Sequence, residues 1–159
     1  MSIAYVALGA NLGDPVSTIK SAIEMLKSLK HSRLVGCSSL YRTAPVGLHN
    51  QPDFINAVVA LDTQLTPLAL LEQLFAVEAE FGRLRSIKNA PRTLDLDLLL
   101  HGDTIRNDPQ LTLPHPRMHL RAFVLAPLAE IAPEVFIPGH GMVSDMLATC
   151  ADQKIERLL

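Results

Sequence analysis

Two carboxylates set into an apolar run give this chain its first chemical signal. They lie in Pro91-Arg92-Thr93-Leu94-Asp95-Leu96-Asp97-Leu98-Leu99-Leu100. In an extended strand successive side chains point to opposite faces, so Asp95 and Asp97 share one face while Leu94, Leu96 and Leu98 share the other. Like charges side by side next to apolar residues must protonate or gather cations, and hard carboxylate oxygens suit Mg²⁺ better than a soft metal. Side chains two apart on a strand stand roughly 7 Å apart at the backbone and can converge on two ions about 3.5–4 Å apart, the spacing of phosphoryl-transfer sites. An edge strand with one wet face is the competing reading of Asp-x-Asp taken alone.

Cations lead directly into this strand. The polar stretch from Gly82 to Arg92 carries Arg83, Arg85, Lys88 and Arg92. A nucleotide polyphosphate needs that combination, with metal ions on one side of the phosphates and guanidinium groups on the other. A solvated loop whose charges bind nothing is the alternative. Further along, Pro114-His115-Pro116-Arg117-Met118-His119-Leu120-Arg121-Ala122-Phe123 offers more phosphate partners. Its prolines stiffen the backbone around His115, and Arg121 and Phe123 come just before an apolar helical stretch.

The segment from Lys88 to Leu99 resembles the signature of the hydroxymethyl-dihydropterin pyrophosphokinase family. Four further blocks are similar to that family in the same order: Tyr5 to Asp14, Leu40 to Gly47, Gln51 to Ala57, and Pro114 to Leu125. The resemblance implies transfer of pyrophosphate from ATP to a pterin alcohol in the folate pathway. It implies that Asp95 and Asp97 hold two Mg²⁺ ions, with Arg83, Arg92, His115 and Arg121 as the catalytic phosphate contacts. Pterin would lie between Phe54 and Phe123, where stacking and area burial act together, with Asn56, Thr43, Ala44 and Val46 reading its edge. Glu78, Leu98, Thr112 and His115 would contact the nucleotide. The chain departs from the family pattern in four places: Asn89, with no Trp anywhere, where many members carry Trp; Pro116 where some carry Tyr; Gln110 where some carry Arg; and Phe75 where a polar residue can occur.

Two other classes compete. A nucleotidyltransferase also pairs strand carboxylates, but usually adds a third acidic residue and a Gly-Ser turn, for which no segment qualifies. A module that only binds a ligand would share the fold without the chemistry, and the charged stretch beside Asp-x-Asp argues against it. Plain core packing is the competing reading of Phe54 and Phe123.

These residues must be positioned by alternating strands and helices. Ile3 to Leu8 reads as a strand ending in a turn-rich segment, after which Asp14-Pro15 has the form of a helix start. Ile19, Ala22, Ile23, Leu26 and Leu29 recur at helical spacing. Leu34 to Tyr41 and Phe54 to Leu61 read as strands joined by a long loop, and Thr66-Pro67 opens a second helix that Gly82 ends. Strand, helix, strand, strand, helix, strand is the order of a ferredoxin-like α+β domain, one antiparallel sheet with helices packed on it. Beyond Gly102 the pattern predicts loops, a helix from Phe123 to Glu130, whose extension supplies Leu125, Leu128 and Ile131 to the core, and a last helix from Val143 to about Cys150.

At 159 residues, with 48% hydrophobic content, the chain fits a single domain spanning 1–159. A net charge of −2, with the basic residues clustered locally and balanced elsewhere, argues against general affinity for nucleic acid. Two distant cysteines, Cys37 and Cys150, form neither a metal motif nor a disulfide framework, which favours a reducing compartment. The first residues lack a basic region before an apolar stretch, and no apolar run approaches the length needed to cross a bilayer, so a cytoplasmic monomer acting on small molecules is expected.

Overall fold

The computed structural model describes residues 1–44, 52–82 and 93–158. Its main sheet is built from β1 (Ser2–Ala10), β2 (Ser32–Cys37), β3 (Tyr41–Thr43), β4 (Phe54–Thr63) and β5 (Asp95–His101), with helix α1 (Pro15–Lys27) after β1 and α2 (Pro67–Glu80) after β4. Asp14 caps α1 by accepting from the Ser17 amide at 3.2 Å, Thr66 caps α2 by accepting from Ala69 at 3.2 Å, and each helix has proline at its start. Gly82 follows α2 at φ +83°, a conformation that suits glycine at a helix end.

The strand order is β3-β4-β1-β5, with β2 alongside β3 on the same edge of β4, and every pairing is antiparallel. That is the ferredoxin-like arrangement: β1-α1-β2 and β4-α2-β5 are two crossovers, each straddling a strand of the other. The expected strand from Leu34 to Tyr41 is in fact two. A register shift between Leu34 and Gly36 bends β2, and Ser38 then takes the place of a ladder residue, its hydroxyl accepting from the Val58 amide at 2.9 Å.

Leu8, Leu61, Leu74, Leu96 and Leu98 fill a core between the sheet and α1 with α2. Each such leucine contributes about 1.5–3 kcal/mol by leaving water. Sequence periodicity did not foresee a second layer on the opposite face. After β6 (Arg106–Asn107), β7 (Thr112–Leu113) and a 3₁₀ turn (Met118–Leu120), helix α3 (Ala122–Ile131) packs there with Leu125 and Leu128 fully buried and Ile131 half-buried. The hairpin of β8 (Phe136–Ile137) and β9 (Gly141–Met142), then α4 (Val143–Ala148), complete that layer. β10 (Glu156–Arg157) returns to pair with β3, so the chain's last described turn borders the same sheet edge.

Glu130 fastens α3 to that edge. Its carboxylate accepts from the Ser39 amide at 3.0 Å, the Ser39 hydroxyl at 2.9 Å, the Tyr41 hydroxyl at 2.7 Å and Arg157 at 3.3 Å. Partial burial opposes ionisation, but these donors win and hold the carboxyl below its ordinary 4.5. Burial first, and then the bond to Glu130, pushes the Tyr41 phenol up to about 12. A depressed carboxyl contributes stability above the unfolded value that is lost as pH falls through the folded one. Glu130→Gln should therefore destabilise the protein by roughly 1–2 kcal/mol at neutral pH. In denaturant melts the gap to wild type should close below pH 4.5; a gap that persists there would show that the charge is not what matters.

Candidate active site

β5 is an edge strand, and its register decides what surrounds the two aspartates. Asp95 stands opposite Gly9 and Asp97 opposite Ala7, while Gly9 also faces Asn56, which faces Tyr41. One cross-strand row thus runs Asp95, Gly9, Asn56, Tyr41. The small residues Gly9 and Ala7 keep the sheet surface low between acid and amide, and above it opens a cavity of about 850 Å³. Thr43, Ala44, Phe54 and Asn56 form one side; Asp95 and Asp97 another; Arg117, Leu120, Arg121, Phe123 and Val124 a third; Gln153 to Ile155 close it. After Asp97 the register slips by one residue, so Leu99 and Leu100 both turn toward the second core, as the two-residue alternation alone would not predict.

The Asn56 amide is buried and donates to the Thr43 hydroxyl at 3.0 Å, which leaves its oxygen and second N–H for a ligand. A Cβ at Gly9 would lie 3.2 Å from the Asn56 Oδ1. Gly9→Ala must therefore displace that amide, and we expect it to weaken ligand binding in this cavity by about 1 kcal/mol. Calorimetry with the ligand of this cavity checks this; unchanged affinity would remove Asn56 from recognition.

A second cavity, of about 290 Å³, lies beyond the β5 edge. Phe75, Leu98, Gln110, Thr112, His115 and Pro116 line it, and so does Asp97. The turn before β7 is organised by Asp108, which accepts from the Gln110 and Leu111 amides at 3.1 Å and pairs with Arg106 at 2.8 Å. His115 is anchored through its amide to the Leu99 carbonyl at 2.9 Å, and its Nδ1 accepts from the Arg117 amide at 3.2 Å. Burial holds this imidazole below its usual value; Asp97 opposes that, and Arg121 and Arg117 reinforce it. A neutral ring whose Nδ1 accepts carries its proton on Nε2, which makes His115 a hydrogen-bond donor to a phosphate or base.

Three cations on the large cavity, Arg117, Arg121 and Lys154, form no ion pair among the described residues. The Arg121 guanidinium lies 5.5 Å from the Phe123 ring centroid, a cation–π contact that orders both. The site therefore offers acid and unneutralised base around one space, with an aromatic wall on either side. A polyanion carried by metal ions meets both requirements.

The model of one protein family, described as 7,8-dihydro-6-hydroxymethylpterin-pyrophosphokinase (HPPK), matches residues 5–133. The chain belongs to the HPPK family. It is 47% identical over 154 residues to a 2-amino-4-hydroxy-6-hydroxymethyldihydropteridine pyrophosphokinase of Pseudomonas aeruginosa, covering 97% of this chain and 95% of that one. The enzyme of the same name from Haemophilus influenzae is 42% identical over 158 residues, with 99% of both chains covered. Among solved structures, Plasmodium falciparum HPPK-DHPS crystallised with pteroate superposes with a TM-score of 0.74 over 93% of this chain and 42% of that one; at 15% identity this speaks for the fold alone. This HPPK chain is thus an enzyme that transfers pyrophosphate to a hydroxymethyldihydropterin.

Within the HPPK fold most of the anticipated residues converge. Thr43, Ala44, Phe54, Asn56, Phe123, Arg121 and Asp95 share the large cavity; Leu98, Thr112 and His115 share the small one; Asp97 borders both. Glu78 lines neither. It is buried in α2 and accepts from the Leu96 amide at 2.8 Å, so it holds the outer edge of β5 between the two aspartates. Arg83, Arg92 and Val46 lie outside the described residues. The ends of the segment that carries the two arginines are tied together, since the Thr93 hydroxyl donates to the Phe81 carbonyl. The sequence offered Arg117 only as part of a segment of phosphate partners, and gave no role to Gln153, Lys154 or Ile155. The last three follow the final helix with no periodicity to mark them, and pairing of β10 with a strand more than a hundred residues earlier brings them to the site.

Proposed function

We propose that the protein transfers the diphosphoryl group of ATP to the hydroxymethyl group of 6-hydroxymethyl-7,8-dihydropterin, giving AMP and the pterin diphosphate for folate biosynthesis. The position of Asp97 on both cavities carries this reading. A nucleotide in the smaller space and a pterin in the larger would have their phosphate chain and hydroxymethyl group meet over that residue. The alcohol oxygen bonds to the β-phosphorus, the bond from that phosphorus to the α–β bridging oxygen breaks, AMP leaves with the bridge, and the alcohol proton passes to solvent.

Mg²⁺ fits the donor set. Among the described residues no third His, Cys, Asp or Glu joins Asp95 and Asp97, and one or two carboxylates with phosphate oxygens and water completing the shell is the usual way this ion is held. When bound, Mg²⁺ supplies charge neutralisation at the phosphates and acidifies the attacking alcohol. The chain's own residues position and stabilise. Phe54 and Phe123 hold the pterin flat, Asn56 reads its edge, and Arg121 and His115 meet phosphate oxygens. Arg83 and Arg92, which precede β5 in the sequence, are assigned to the phosphates by their charge and by the family resemblance alone. We take Glu78 to act on the nucleotide site through β5.

The single domain acts on small molecules as a monomer in the cytoplasm, a setting that suits the free thiols Cys37 and Cys150; no described helix is long and apolar enough to cross a membrane. Product analysis tests the reaction. With ATP, Mg²⁺ and the dihydropterin alcohol, AMP should appear in step with pterin diphosphate. ADP would indicate simple phosphorylation, and free pyrophosphate would indicate nucleotidyl transfer.

A further inference from the structure

The residues after α4 reach the site through one side chain in particular. The Gln153 Oε1 accepts from the Ala122 amide at 2.9 Å, and its Nε2 donates to the Leu120 carbonyl at 2.8 Å. Those two groups flank Arg121 on either side, at the junction where the 3₁₀ turn gives way to α3. Arg121 is itself extended there, at φ −122° and ψ 110°, and no side chain of its own element caps the helix start. A primary amide that donates to one side of a residue and accepts from the other fixes the direction in which that residue's side chain leaves the backbone. Gln153 is an exposed residue, so its two bonds add little to overall stability. It is also held in place independently, because three residues later β10 pairs with β3, Glu156 opposite Arg42 and Arg157 opposite Tyr41.

We infer that Gln153 is a positioning residue for the transfer: its amide clamps the backbone on both sides of Arg121 and aims that guanidinium at the phosphates. This rests on the reading of Arg121 as a phosphate contact. A cation that neutralises charge during transfer must be placed to within a fraction of an ångström, and displacement by about 1 Å can lower a rate by as much as a hundredfold. The clamp therefore acts on the chemical step and not on pterin recognition. Its partner groups belong to the backbone, so neither Arg121 nor Phe123 need be altered to remove it.

Gln153→Met keeps the bulk of the side chain and deletes both hydrogen bonds. It should lower kcat by roughly tenfold to a hundredfold with little change in the KM for the pterin. The deciding measurement is a double-mutant cycle with Arg121→Ala, each protein's folded fraction being fixed from its thermal melt. Gln153→Met should cost nothing further once Arg121 is gone. If it costs the same factor in the Arg121→Ala background, or raises KM and leaves kcat alone, Gln153 does not act through Arg121 and the inference is overturned. If Arg121→Ala by itself leaves kcat unchanged, the phosphate role of Arg121 fails instead. Should Gln153→Met fold poorly, Gln153→Glu serves: it keeps the acceptor for Ala122, loses the donor to Leu120, and should fall between wild type and the Met variant in kcat, whereas a wild-type rate would contradict the clamp.

Discussion

Asp97→Asn is expected to lower kcat by roughly a thousandfold, a loss of about 4 kcal/mol in transition-state stabilisation. Asp95→Asn should act in the same sense. The amide keeps the shape of the side chain but removes the charge that holds the cation. Both variants should fold, and in the absence of metal they should be as stable as wild type or slightly more so, since a like-charge pair on one strand face has been relieved. Asp97 borders both cavities and Asp95 only the larger, so the Asp97 variant should also lose more of the metal-dependent part of ATP binding. Titration of ATP with and without Mg²⁺ separates these contributions. Near-normal turnover of both Asn variants at ordinary Mg²⁺ would remove the metal assignment.

Phe123→Ala should weaken pterin binding by about 1–3 kcal/mol, the value of one stacking wall and the area it covers. Nucleotide affinity should change much less, because Phe123 lines the large cavity and is absent from the small one. The ring also packs against the second core and lies under the Arg121 guanidinium, so some loss of stability will accompany the change. Pterin and ATP affinities measured on the same folded sample distinguish the roles. Equal losses for both ligands, or a loss of folding with no change in affinity for the folded fraction, would mean that Phe123 is core and nothing more.

The contrast between what was legible in the chain and what was not has a physical pattern. Asp95 and Asp97 could be placed on one face because strand alternation is local, and the Asp14 and Thr66 caps could be read because a helix start is settled within four residues. The ferredoxin-like order followed from the same local signals. Where long-range pairing decides, those signals fall silent. The extra residue near Leu99, the break at Ser38 and the second layer beneath α3 all depend on what lies across the sheet. The arrival of Gln153 and Lys154 at the cavity depends on β10 finding β3. Glu78 shows the same limit from the other side: the resemblance implies a nucleotide contact, whereas the bond its carboxylate accepts from the Leu96 amide depends on how α2 packs against β5. The cavities themselves emerge only when Gly9 and Ala7 are seen as the low ground between an acidic strand and an amide-bearing one.

If the alcohol attacks the β-phosphorus of ATP over Asp97, as proposed, the fate of one oxygen reveals it. ATP carrying heavy oxygen in the α–β bridge is turned over with the dihydropterin alcohol, and the products are separated and weighed by mass spectrometry. Attack at the β-phosphorus leaves the heavy atom in AMP, and that is the predicted result. Heavy oxygen recovered in free pyrophosphate, with the nucleotide joined to the pterin, would mean attack at the α-phosphorus and would contradict the account.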